Sequence, residues 1–188
     1  YDKNEFFDGF VSPRVSFVYA ADKEKKHNIR GSFQTGFRNP STQDLFIGLN
    51  AGIAVLVGSA PANLDRYSAI SAPLSTAGQA LTGQTNVTLN GGDAYSNAFD
   101  LDGLNKGEFR AANVQLVKPE KVTAYEVGYR GNIGSLNVDF SAYFNSYEDF
   151  ISNKNVVAPL YRQVGDNSLS LLALQNEDTQ AYQTYTNS

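Results

Sequence analysis

The 188-residue chain carries 12 Phe, 11 Tyr and 16 Gly but no Cys, Met or Trp, and its formal net charge is -4. Without Cys there is no disulfide framework, thiolate metal site or cysteine nucleophile, and the mild acidity leaves no electrostatic footprint of a nucleic-acid binder. No run reaches the roughly 18 apolar residues of a membrane-spanning helix, and Tyr1-Asp2-Lys3-Asn4-Glu5 lacks the basic and apolar regions of a signal peptide.

Four segments alternate at period two, the pattern of strands with two unlike faces. In Arg14 to Ala20, the residues Val15, Phe17 and Tyr19 share a face. Asn28 to Phe37 sets Ile29, Phe33 and Phe37 against Asn28, Arg30, Ser32 and Gln34. Val122 to Gly131 sets Tyr125, Val127 and Tyr129 against Glu126 and Arg130. Ser135 to Tyr147 sets Leu136, Val138, Phe140, Ala142 and Phe144 against Asn137, Asp139, Ser141 and Asn145. Most of these runs approach the roughly 9–11 residues with which a tilted strand crosses a bilayer.

The connections alternate as well. A short charged turn, Ala21 to His27, joins the first pair, and the polar tetrapeptide Asn132-Ile133-Gly134-Ser135 joins the second. Long stretches follow each pair, Arg38 to Lys118 and Glu148 to Ser188, rich in Asn, Gly, Ser, Thr, Ala and Gln and expected to be irregular loops. A compact soluble domain tolerates such loops poorly, whereas outer-membrane barrels combine short periplasmic turns with long extracellular loops. The expectation is an all-β fold: antiparallel hairpins forming part of a transmembrane β-barrel. Its lipid-facing band would be rich in Phe and Tyr, and Arg30, Gln34, Glu126, Arg130 and Asp139 would face a hydrated lumen as structural residues. A soluble β-rich binding or adhesion module at the cell surface remains the alternative, since half-exposed soluble sheets also alternate.

Three motifs carry a resemblance. Ile29 to Asp44, containing Phe37-Arg38-Asn39-Pro40, resembles a barrel strand of TonB-dependent receptors in which an Arg-x-Pro element enters a long surface loop. Pro119-Glu120 followed by Glu126-Val127-Gly128 is similar to a downstream strand of those receptors, and Asp139 to Ile151, with Tyr143-Phe144-Asn145, is similar to the next. The loop sequences Phe46-Ile47-Gly48-Leu49-Asn50 and Leu56-Val57-Gly58-Ser59-Ala60-Pro61 resemble receptors from Bacteroidetes.

The resemblance implies a later portion of the barrel of an outer-membrane transporter that binds and imports a nutrient such as a siderophore, glycan, cobalamin or peptide. Its loops would be extracellular. It implies as partners the TonB–ExbB–ExbD complex, reached through N-terminal parts absent here, outer-membrane lipid, and a surface lipoprotein. The plug domain that precedes such barrels is also absent, and four strands cannot close a barrel whose smallest bacterial form has about eight. The chain is therefore expected to be a fragment of a longer receptor. The loop aromatics Phe46, Tyr67, Tyr95, Phe99 and Tyr161 are the expected substrate contacts.

No catalysis, metal or cofactor is expected. The single histidine, His27, sits in a charged turn without a second His or Cys. Asp100-Leu101-Asp102-Gly103-Leu104-Asn105-Lys106-Gly107-Glu108 fails the EF-hand spacing and reads as an acidic surface loop. A glycan-degrading enzyme would need a close carboxylate pair with one raised pKa, and no such pair stands out.

Overall fold

The computed structural model describes residues 7–66, 68–165 and 169–188. In chain order the elements are β1 (Arg14–Ala20), β2 (His27–Arg38), α1 (Thr42–Phe46), β3 (Gly48–Asn50), β4 (Val55–Val57), α2 (Pro61–Arg66), β5 (Ser68–Pro73) and α3 (Thr76–Thr82). There follow β6 (Asn86–Asn90), α4 (Gly91–Ser96), β7 (Phe99–Asp100), α5 (Leu101–Leu104), β8 (Glu120–Ile133), β9 (Leu136–Glu148), β10 (Ile151–Pro159), α6 (Leu169–Gln175) and β11 (Thr179–Asn187). They divide into two compact units, Tyr1–Asn39 with Lys118–Phe150 and Pro40–Val117 with Ile151–Ser188.

The first unit is one antiparallel sheet in the order β1-β2-β8-β9. Twelve register pairs, His27↔Gly131 to Arg38↔Glu120, join the two hairpins into it. Strands β2, β8 and β9 hold 12, 14 and 13 residues, enough to cross a bilayer at a tilt. Two tight turns lie at one end of the sheet. Gly134, at φ +64°, supplies the positive φ of the two-residue turn between Ile133 and Leu136. In the other turn the Asp22 carboxylate accepts from the backbone N–H of Lys26 (3.1 Å) and His27 (2.8 Å). All long excursions leave from the opposite end, where Arg38 pairs with Glu120 and Lys121 with Glu148.

Register separates the two faces. One carries Val15, Phe17, Tyr19, Ile29, Phe33, Tyr125, Val127, Tyr129, Phe140 and Phe144. Phe33 and Tyr125 tilt together at 5.2 Å, and Tyr125 reaches Phe144 at 6.4 Å. Phe17 folds over Gly31, where a Cβ would stand 2.5 Å from its ring. Most of these apolar side chains remain exposed, Phe17 at 61% and Phe144 at 66%, with Phe33 and Tyr129 half-buried, so the sheet's apolar face is largely uncovered among the described residues.

The second unit shows where the connecting segments differ from the expectation of irregular loops. Its five-stranded sheet has the order β3-β4-β11-β10-β7, antiparallel except for the parallel β4–β11 pair, and a separate hairpin pairs β5 with β6. The core gathers Val55, Val57, Leu74, Leu89, Ala94, Val156, Leu160 and Tyr182, each fully buried Val contributing roughly 1.5–3 kcal/mol. Local rules seed the short helices: Ser41 with Asp44 and Asn90 with Asp93 form capping boxes, and Gly83, at φ +71°, ends α3. The pairing itself is not local. Tyr182, Gln183 and Thr184 align with Val55, Leu56 and Val57, and strands of two or three residues are too short to display a period.

Polar braces tie the excursion before β8 to the one after β9. Buried Asp178, 2% exposed, accepts from Ser75 N (2.6 Å) and Ser75 Oγ (2.9 Å) at the start of α3. Asn97 donates from Nδ2 to Arg162 O (3.0 Å), and its Oδ1 accepts from Val164 N (2.7 Å).

Candidate functional site

The polar face of the first sheet is built by the same alternation that makes the other face apolar. In register across the strands, successive rows read Asn28–Arg130–Asp139, Arg30–Gly128–Ser141, Ser32–Glu126–Tyr143, Gln34–Ala124–Asn145 and Gly36–Val122–Tyr147. Arg30, Gln34, Glu126, Arg130 and Asp139 therefore share one surface. Val18, opposite Arg30, is an apolar exception on that face.

Gly128 sets the geometry at the centre of this surface. Lacking a side chain, it lets Arg30 cross β8 from β2 to β9, where Nη2 donates to Ser141 Oγ (2.6 Å). A Cβ at Gly128 would lie 2.5 Å from Arg30 Nε and 3.0 Å from its Cγ. The extended guanidinium also pairs with Asp139 (3.4 Å) and more distantly with Glu126 (3.7 Å). Arg130 donates from Nε and Nη2 to Asp139 Oδ2 at 2.9 and 2.6 Å. At the opposite end, Arg38 forms a two-pronged pair with Glu120 at 2.6 and 2.7 Å. Such bidentate pairing fixes geometry as well as charge. These arginines are neutralised in place, so the wall presents mixed, locally balanced polarity.

Two residues of this face were missed from the sequence. Tyr143, 79% exposed, and Tyr147, 59% exposed, project from β9 on either side of Asn145. Their parity was readable, but the eye follows the neighbouring Phe140 and Phe144, which belong to the other face.

The loop aromatics lie in the second unit, and most are part of its packing. Phe99 is 2% exposed in β7. Tyr95 packs on the core with its hydroxyl 3.1 Å from Val57 O and 3.2 Å from Tyr185 O; burial pushes its pKa well above the ordinary tyrosine value. Tyr161 also packs on the core, and its hydroxyl accepts from Asn176 Nδ2 (3.0 Å); burial again raises its pKa. Phe46, half-buried, ends α1, and Tyr67 lies outside the described residues. In the acidic segment, Asp100 is held by Arg110 (2.7 Å), which also pairs with Glu108 (3.1 Å).

A two-faced antiparallel sheet with tight turns at one end and long excursions at the other is a barrel-wall pattern. The family model described as TonB dependent receptor-like, beta-barrel matches residues 1–183. The chain belongs to this family. No curated protein and no solved structure is matched by it. As a TonB-dependent receptor barrel segment it is part of an outer-membrane transporter, and its hairpins are a portion of an unclosed barrel wall. Members of the family are transporters that act with the TonB–ExbB–ExbD complex.

Proposed function

We propose that this receptor binds a nutrient at the cell surface and imports it, with this chain supplying four adjacent strands of the barrel wall and two excursions that face the exterior. Binding and conformational gating carry the process, without a covalent step. The family match over residues 1–183 is the observation that carries this reading.

In that reading the Phe- and Tyr-rich face meets lipid, and the face of Arg30, Gln34, Glu126, Arg130 and Asp139 lines the lumen. There its charge network meets the plug rather than the cargo, because its arginines already have carboxylate partners. Tyr143 and Tyr147 extend this wall toward the excursions. A surface lipoprotein docked on the excursions belongs to the same proposal. The test is uptake by cells with and without functional TonB, using the full-length receptor and a panel of ferric siderophore, cobalamin, oligosaccharide and peptide. TonB-dependent accumulation of one of them supports the reading. Uptake unaffected by loss of TonB or of the receptor contradicts it.

A further inference from the structure

The apolar face of the first sheet has a distinct margin at the tight-turn end. Tyr19, Ile29, Tyr129 and Phe140 form its last row of bulky side chains across all four strands. One pleat repeat further, about 7 Å along the strands, stands the row of His27, Gly131 and Val138. Strands β8 and β9 continue past it to the exposed pair Ile133 and Leu136, while the β1–β2 hairpin has already turned through Lys23-Glu24-Lys25-Lys26. Asn132 N donates to Lys26 O (3.1 Å), so this basic turn is fastened beside an apolar hairpin tip.

His27 is fixed at the margin. Its Nδ1 lies 2.7 Å from the Tyr129 hydroxyl, with the rings 18° from parallel and their centroids 6.1 Å apart. Gly131 makes that contact possible, because a Cβ there would fall 2.7 Å from Nδ1. With Nδ1 engaged, Nε2 is the polar atom of the ring left for a further partner.

The charges of the turn do not cancel. Lys26 pairs with Glu24, and the Asp22 carboxylate takes the backbone N–H groups of Lys26 and His27. Lys23 and Lys25 form no ion pair among the described residues. Three lysines against Asp22 and Glu24 leave the turn net positive, and the neighbouring turn, Asn132 to Ser135, carries no charge. Tyr19 and Tyr129 stand where aromatic girdles mark the membrane boundary of a barrel. Cations just outside such a boundary complement a phosphate joined to hydrocarbon chains.

We propose that the β1–β2 turn and the His27–Tyr129 pair form a site for one anionic glycerophospholipid, in the leaflet on the side of the tight turns. Lys23, Lys25 and His27 hold the phosphate, and the chains lie along the margin at Gly131 and Val138. The proposal rests on the reading of this face as lipid-facing.

The test uses the full-length receptor with Val138→Cys as its single cysteine, labelled with bimane and reconstituted in phosphatidylcholine bilayers. Phosphatidylglycerol or phosphatidylcholine bearing a nitroxide high on one acyl chain is added as a minor component, and quenching of the bimane reports which lipid occupies the margin. The phosphatidylglycerol is expected to be preferred at least three-fold, and added sodium chloride should shrink that preference. Lys23→Gln combined with Lys25→Gln should bring the ratio close to one with the unfolding midpoint unchanged. His27→Phe, which keeps a ring but no Nε2, should at least halve it, whereas Lys106→Gln in the second unit should leave it as it was. Equal quenching by the two lipids, or the parental preference in the folded lysine variant, would overturn the proposal. So would loss of the preference to inorganic phosphate but not to chloride of the same ionic strength, which would mark a site for the free anion. Absence of quenching by either lipid would remove the proposal together with the lipid-facing reading beneath it.

Discussion

Arg30 lies across Gly128, its register partner on the neighbouring strand, with Nε 2.5 Å from the point a Cβ would occupy. The glycine is what allows one guanidinium to reach Ser141, Asp139 and Glu126 from β2. Gly128→Val should force Arg30 off this path and cost about 1–3 kcal/mol, as overpacking does. Unfolding of the detergent-solubilised receptor in urea measures it. Adding Arg30→Ala should recover part of that loss, because the collision partner has gone; strictly additive losses would show that the two residues are independent.

Asp178 braces the second unit by accepting two hydrogen bonds from Ser75. Asp178→Ala strips both hydrogen bonds from Ser75 and should loosen α3 locally by about 1.5–3 kcal/mol, the range for bonds to a charged partner. Hydrogen exchange across Thr76–Thr82 and Thr179–Asn187 should rise together, whereas β2 and β8 should not respond. Asp178→Asn, which keeps an acceptor, should fall between the variant and the parent.

The turn at Asp22 predicts a pH response. The backbone N–H of His27 is the main cause that lowers the Asp22 pKa below the ordinary carboxylate value, with that of Lys26 adding to it. A lowered folded-state pKa means that the contribution is present above the unfolded value, about 4, and is lost as pH falls through the folded value. Amide protection of Lys26 and His27 should therefore persist at neutral pH and fade only in acid below that point. Asp22→Ala should remove the protection at every pH.

Strands β1 and β9 occupy the two edges of the first sheet, and unpaired edges recruit further strands. Expressed alone in water, the segment should form aggregates with cross-strand β signature by infrared spectroscopy. Detergent micelles should suppress this by covering the apolar face. A monodisperse, folded segment in plain buffer would show that the apolar face is satisfied in some other way.

The all-β fold class and the existence of antiparallel hairpins were legible because long strands with unlike faces write their period into the chain. The shared face of Arg30, Glu126 and Asp139 follows from parity alone. The second unit was opaque for the opposite reason. Residues 55–57 pair with 182–184, a contact no local window contains, and after Ile151 β10 runs through the polar Ser152-Asn153-Lys154-Asn155, which reads as loop. Composition also misleads about aromatics: Phe99 and Tyr95 look like surface contacts in a polar stretch, yet they are packed because the excursions build a core of their own.

In the proposed receptor this sheet is a wall between lipid and an aqueous lumen. Nitroxide labels at successive positions from Ala124 to Tyr129, in the full-length receptor reconstituted in bilayers, test it most directly by collision with oxygen and with a water-soluble nickel chelate. The segment has no native cysteine to interfere. Labels at Tyr125, Val127 and Tyr129 should favour oxygen, and those at Ala124, Glu126 and Gly128 should favour the chelate or be shielded from both by the plug. Uniform chelate access along the strand, or the inverse alternation, would show that the sheet does not separate lipid from lumen.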